Sequence, residues 1–187
     1  MARIVRLHEY GDASVLKIEN LDVPPPAADE VQIEVKSIGL NRAEVMFRTH
    51  AYLQEAQFPS RLGFEAAGIV KTVGTSVTSF KKGDVVSLIP PPDIARWGTY
   101  GEVANVPARN LVKHPRNISF EEAAASWMQY LTAWGALIEQ AKLTAGDFVL
   151  VTAASSSVGI AAFQVAKAVS ATVIATTRDP SQEGSAH

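Results

Sequence analysis

Up to about residue 115, apolar and polar residues alternate in short runs. These are Ile4-Val5-Arg6-Leu7, Val31-Gln32-Ile33-Glu34-Val35, the stretch 65–73 and Asp84-Val85-Val86-Ser87-Leu88. A period of two predicts half-buried strands. Gly74-Thr75-Ser76 follows one run and Lys81-Lys82-Gly83-Asp84 precedes the next, while Pro24-Pro25-Pro26 and Pro90-Pro91-Pro92 stiffen the loops. The pattern predicts a β-rich, barrel-like domain. After Pro115 the spacing becomes helical. Ser119 and Glu122 form a capping box, and Glu121 and Glu122 suit the positive end of a helix running through Ala123, Ala124 and Ala125. A second helical stretch, about 131–142, leads through Thr144-Ala145-Gly146-Asp147 into an apolar strand from Phe148. A turn of small residues and a helix follow, and the run 171–176 closes one βαβ unit. The expected division is 1–118 and 119–187, with no internal repeat.

Composition narrows the function classes. The chain has 187 residues and a formal charge of −2, without basic runs or Lys/Arg patches interleaved with aromatics, which argues against nucleic acid as a partner. No apolar stretch reaches the roughly 18 residues needed to cross a bilayer. Arg3, Arg6, His8 and Glu9 interrupt the first run, so a signal-peptide core is missing and a cytoplasmic protein without membrane contact is expected. There are no cysteines, which removes disulfides, thiolate metal sites and cysteine nucleophiles together. The histidines, His8, His50, His114 and His187, are scattered unlike a ligand set.

The chemistry concentrates in the stretch 148–162, which reads as strand, tight turn and helix. Such a turn aims backbone N–H groups and the positive end of a helix dipole at one point, an arrangement suited to the pyrophosphate of a dinucleotide. Laid on the G-x-G-x-x-G fingerprint, the glycine positions hold Ala154, Ser156 and Gly159, with Ser155, Ser157 and Val158 between them. The alternative reading is an ordinary βα turn without a ligand. The next strand ends Thr176-Thr177-Arg178. There a hydroxyl and a guanidinium would suit the 2′-phosphate of NADP(H), whereas Asp179 is the complication that would suit NAD. A surface Arg178 without a ligand is the competing reading.

A series of segments in fixed order resembles the medium-chain dehydrogenase/reductase superfamily. They are Phe58-Pro59, Gly63-Phe64-Glu65-Ala66-Ala67-Gly68-Ile69-Val70, Val73-Gly74, Gly83-Asp84-Val85-Val86, Gly98-Thr99-Tyr100-Gly101-Glu102, Leu131-Thr132-Ala133 and 153–159. The resemblance extends over essentially the whole chain and is greatest to the zinc-independent quinone oxidoreductase branch. It implies a fold with a GroES-like β-barrel domain followed by a Rossmann-type segment, with NADP(H) in the cleft between them. Asn41 and Tyr52 would then line the substrate end. Asn41 would sit beside the nicotinamide and Tyr52 would serve as a donor to a quinone or enone oxygen, while Gln129 and Thr132 would approach the cofactor. Turn, packing and helix-surface roles are the respective alternatives.

Compared with zinc-dependent alcohol dehydrogenases, the positions matching the metal ligands hold Asn41, Phe64-Glu65 and Met128, so no metal is expected. The resemblance also implies well over a hundred further residues of Rossmann sheet. The polar ending 179–187 lacks the helix expected after the second strand, and the βαβ segment is therefore expected to be incomplete, with an unprotected edge that favours a homodimer. Two function classes follow: an NADPH-dependent reductase of quinones, enones or related carbonyl compounds, and a truncated, non-catalytic homologue that dimerises or binds a partner.

Overall fold

The computed structural model describes residues 1–177, which fall into two compact units dividing between Trp127 and Met128. In the first unit the hairpin β1 (Ala2–Leu7) and β2 (Leu16–Leu21) precedes β3 (Glu30–Ile38), helix α1 (Arg42–Arg48), β4 (Ala66–Val73) and β5 (Val85–Leu88). The one-turn helix α2 (Ile94–Trp97), β6 (Val103–Pro107), β7 (Leu111–Lys113) and helix α3 (Phe120–Ala124) complete it. Five strands form an antiparallel sheet in the order β6-β3-β4-β5-β7. The hairpin joins it where Val5 donates to the Tyr100 carbonyl and Glu102 to the Arg3 carbonyl, both at 2.9 Å.

The alternation read from the sequence fills the interior with Val31, Ile33, Val70, Val86, Leu88, Ala104, Val106 and Leu111. Each large aliphatic side chain buried this way is worth about 1.5–3 kcal/mol. β3 departs from simple alternation, because Glu30 and Gln32 are buried as well. Their side of the strand is covered by the proline segment and α2. Gln32 donates to the Pro24 carbonyl and to Asn105 Oδ1, each at 3.0 Å, so burial costs it no unmet hydrogen bond.

The capping box at Ser119 is present. Glu122 N–H donates to Ser119 Oγ at 3.1 Å, and Ser119 N–H to the Glu122 carboxylate at 2.7 Å. The helix it starts belongs to the barrel, however, since Ala123 and Ala124 pack with Ala67. For that reason the compact units divide at 127/128, later than the change in sequence character at 118/119 suggests.

In the second unit α4 (Trp127–Trp134), which opens at that division, runs into a π-helical segment, Gly135–Gln140. Strand β8 (Phe148–Val151), helix α5 (Ser157–Ala168) and strand β9 (Thr172–Ala175) make the anticipated right-order βαβ unit, with β8 and β9 parallel and Val151 opposite Ala175. Ala133, Val151, Ala161, Ala162 and Val165 form its core. The opposite sheet face presents Phe148, Leu150 and Ile174, exposed by 72%, 61% and 49%, a degree unusual for adjacent apolar strand residues.

Candidate active site and dinucleotide cradle

In the first unit the chemistry gathers where β3 hands over to α1 and where the chain enters β4. Asn41 is the residue before α1, and its amide Nδ2 donates to Glu65 Oε1 at 3.0 Å. Its own N–H donates to Glu44 Oε2 at 2.8 Å, and the other Glu44 oxygen accepts from Phe64 N–H at 3.1 Å. One buried carboxylate therefore fastens the start of α1 to the segment entering β4. Gly39 makes room for this arrangement: a Cβ there would lie 2.6 Å from Glu65 Oε1. Tyr52 meets Phe64 edge to face, with ring centroids 5.5 Å apart, and Thr99 Oγ1 donates to the Glu65 carbonyl at 3.2 Å.

Two carboxylates in little solvent set the electrostatics. Burial pushes the Glu44 carboxyl above its ordinary value, against the hydrogen bonds that favour the anion. Burial, and then the Glu44 charge, raise the Tyr52 phenol. Tyr100 is raised further by burial and by both carboxylates, so both phenols are held protonated as donors at neutral pH.

The structure thus brings Asn41, Tyr52, Phe64 and Glu65 into one neighbourhood, and adds Glu44 and Tyr100, which sequence reasoning did not assign. Glu44 had a legible signal, because Asn41 and Glu44 repeat the cap-x-x-Glu spacing recognised at Ser119. Phe64 offers no donor atom to a metal, and the Asn41 side chain is hydrogen-bonded to the carboxylates beside it. Among the described residues, no three His, Asp or Glu side chains converge as metal ligands.

In the second unit the turn 153–156 is shaped by hydrogen bonds at both ends. Ser156 N–H donates to the Ala153 carbonyl at 2.9 Å, and Ser156 Oγ caps α5 by accepting from Gly159 N–H at 3.1 Å. Ala154 N–H donates to the Thr176 carbonyl at 3.1 Å, which holds the turn against the end of β9. The first-turn N–H groups of Ser157 and Val158 have no intrahelical acceptor and point from the positive end of the helix. Gly159 is the fingerprint glycine that this geometry requires: a Cβ would lie 2.6 Å from the Ala153 carbonyl oxygen and 2.7 Å from that of Ala154. The left-handed residue is Ala153, with φ of 50°, one position before the fingerprint's first glycine site at Ala154.

Ser155, Ser157 and Val158 are exposed, as is Thr177 beyond β9. Arg178, the other residue expected at a 2′-phosphate, lies outside the described residues. On α4, Gln129 is half-buried and Thr132 is exposed; three residues apart, they share one helix face. Thr132 Oγ1 donates to the Met128 carbonyl at 2.7 Å.

With this geometry in hand, comparison with known proteins is direct. Residues 27–116 match the family model of the alcohol dehydrogenase GroES-like domain. The quinone oxidoreductase of Homo sapiens is 36% identical over 177 residues, covering 94% of this chain and 53% of that protein. The chain belongs to the medium-chain dehydrogenase/reductase superfamily. Within that superfamily it sits on the quinone oxidoreductase-like branch. The Escherichia coli quinone oxidoreductase, solved in complex with NADPH, superposes with a TM-score of 0.87 at 34% identity, over 100% of this chain and 55% of that one. An NAD-dependent alcohol dehydrogenase superposes with a TM-score of 0.91 at 34% identity, over 98% of this chain and 60% of that one. The chain spans about half the length of the curated relatives it matches. Its fold is the GroES-like β-barrel followed by a Rossmann-type βαβ segment, as the superfamily implies.

Proposed function

We propose that the chain carries the substrate-binding domain and the first dinucleotide-binding unit of an NADPH-dependent oxidoreductase that reduces quinones, enones or related carbonyl compounds without a metal. The observation that carries this reading is the capped α5 terminus. Open N–H groups, the Ser156 cap and the close approach enforced at Gly159 form a cradle fit for a pyrophosphate. Residues 154–159 would hold that group, Gln129 and Thr132 would contact the cofactor, and Thr177 with Arg178 would take the 2′-phosphate. When bound, the cofactor supplies the hydride.

The protein's part is orientation and polarisation. Asn41, whose side chain donates to Glu65 Oε1 and also bonds the Glu44 carboxylate, is held in place as the first donor, a substrate oxygen replacing one of these carboxylates as acceptor. Tyr52, kept protonated, is the second donor. Replacing Tyr52 by phenylalanine is expected to lower quinone reduction by NADPH in a steady-state assay while leaving NADPH binding unchanged. No turnover by the unmodified protein, or full turnover by the variant, would contradict these assignments.

Three further outcomes follow from the same reading. Arg178→Ala is expected to weaken NADPH binding by about 1.5–3 kcal/mol, the range for a hydrogen bond to a charged group, and to spare NADH. Equal losses for both nucleotides would refute the assignment. Elemental analysis should find no stoichiometric zinc, and chelator should leave the melting temperature unchanged, because Asn41, Phe64 and Met128 stand at the matching ligand positions and the chain has no cysteine. The exposed face of Phe148, Leu150 and Ile174 should promote self-association to a dimer or larger species. Light scattering that shows a strict monomer at all concentrations would rule this out.

A further inference from the structure

The proline segment after β2, the strand β6 and the helix α2 enclose a pocket of about 360 Å³ on the barrel, and none of the site residues assigned above lines it. Val23, Pro24 and Pro25 supply an apolar wall, and its charged groups are Glu30, Arg61 and Arg96. Glu30 is fully used. Its Oε1 accepts from Arg96 at 3.1 Å and Trp97 Nε1 at 2.8 Å, and its Oε2 from Ala27 N–H at 3.0 Å. Arg96 therefore cancels Glu30, and Arg61 leaves the pocket with one net positive charge.

Arg61 is the unexplained group. One guanidinium nitrogen donates to the Val103 carbonyl at 2.9 Å, while Nε is shielded from solvent and has no hydrogen-bond partner. Among the described residues, no carboxylate forms an ion pair with it. The charge that acts on it is that of Arg6, and burial together with this like charge pushes Arg61 down to about 10. A half-buried cation without an anion is unfavourable, and a guanidinium fork matches a carboxylate by two parallel hydrogen bonds.

We propose that this pocket binds a small organic carboxylate, its anionic end paired with Arg61 and its apolar body against Val23, Pro24 and Pro25. The single net charge fits a monoanion better than a phosphate dianion, and the apolar wall favours an organic body over a bare inorganic ion. The site is independent of the dinucleotide cradle.

Nitrogen-15 NMR titration of the full chain with benzoate tests this, with inorganic phosphate and benzyl alcohol as comparison probes. The Arg61 Nε–H and Trp97 Nε1–H resonances are expected to shift saturably with benzoate and to stay in place with the other two. Arg61→Gln should weaken benzoate about tenfold or more, the loss of a charged hydrogen bond. Pro25 is exposed, so Pro25→Asp adds a repelling carboxylate at the rim without disturbing the core, and it should weaken benzoate several-fold even if Arg61→Gln fails to fold. No saturable shift, an equal response to benzyl alcohol or phosphate, or unchanged affinity in Pro25→Asp would overturn the proposal.

Discussion

Replacing Gly159 by alanine is expected to destabilise the second unit by about 1–3 kcal/mol, the usual cost of forcing a methyl group into a packed site. The new Cβ would lie 2.6, 2.7 and 2.8 Å from three backbone atoms of Ala153 and Ala154, and backbone cannot swing aside as a side-chain end can. Relief requires the turn to move away from α5. That movement would pull Ser156 from its cap and Ala154 from the Thr176 carbonyl, and it would open the cradle in the same stroke. Hydrogen exchange should show weaker protection in β8 and α5, and NADPH affinity should fall at least tenfold. Ala168→Ser, at an exposed position at the far end of α5, should change neither quantity. Unaltered protection in Gly159→Ala would mean that the turn is not held as tightly as the hydrogen bonds indicate.

The largest effect in the barrel is expected from Glu44→Ala. Its carboxylate receives the N–H groups of half-buried Asn41 and buried Phe64, and truncation takes the partner from both donors. At about 1–3 kcal/mol for a buried group left unsatisfied, the Phe64 N–H alone accounts for that range and the Asn41 N–H adds to it, enough to displace a thermal transition by several degrees. Because the same bonds fix Asn41 beside Glu65, quinone reduction should fall with stability.

Glu44→Gln separates charge from shape. The folded-state pKa of Glu44 lies above its ordinary value of 4.5, because burial disfavours the anion. The stability that this shift contributes is therefore fully present below about 4.5 and is lost as pH rises through the folded value. Glutamine has no such dependence, so its melting temperature relative to the unmodified protein should improve as pH is raised through that window. The half-buried carboxylates whose values are lowered, such as Glu19 and Asp84, work in the opposite direction but are common to both proteins and cancel in the difference. A flat difference profile would show that Glu44 carries no buried-charge penalty.

How far the sequence led differs by element. The alternating runs at 31–35 and 65–73 mark β3 and β4 because their apolar positions fill one core. β2 was not separable, since Lys17, Glu19 and Asn20 give its run little apolar signal. Burial of Glu30 and Gln32 was not legible either, because it depends on prolines and an α2 tryptophan that arrive from other parts of the chain. Local chemistry read well where one residue suffices, as with the Ser119 capping box and the Gly159 contact. It failed where a conformation is carried by an atypical residue: left-handed Ala153 bears no glycine to announce it. Asn41 and Tyr52 were reached only through family resemblance, and their roles are the ones proposed above. The buried carboxylate that positions Asn41 was present in the spacing but not recognised as part of the site.

The most direct test of the central claim is calorimetric titration of the chain with NADPH and, separately, NADH. The account predicts saturable, one-to-one binding with NADPH tighter than NADH, and loss of that binding in Gly159→Ala. Absence of binding by either nucleotide to the folded chain would contradict it.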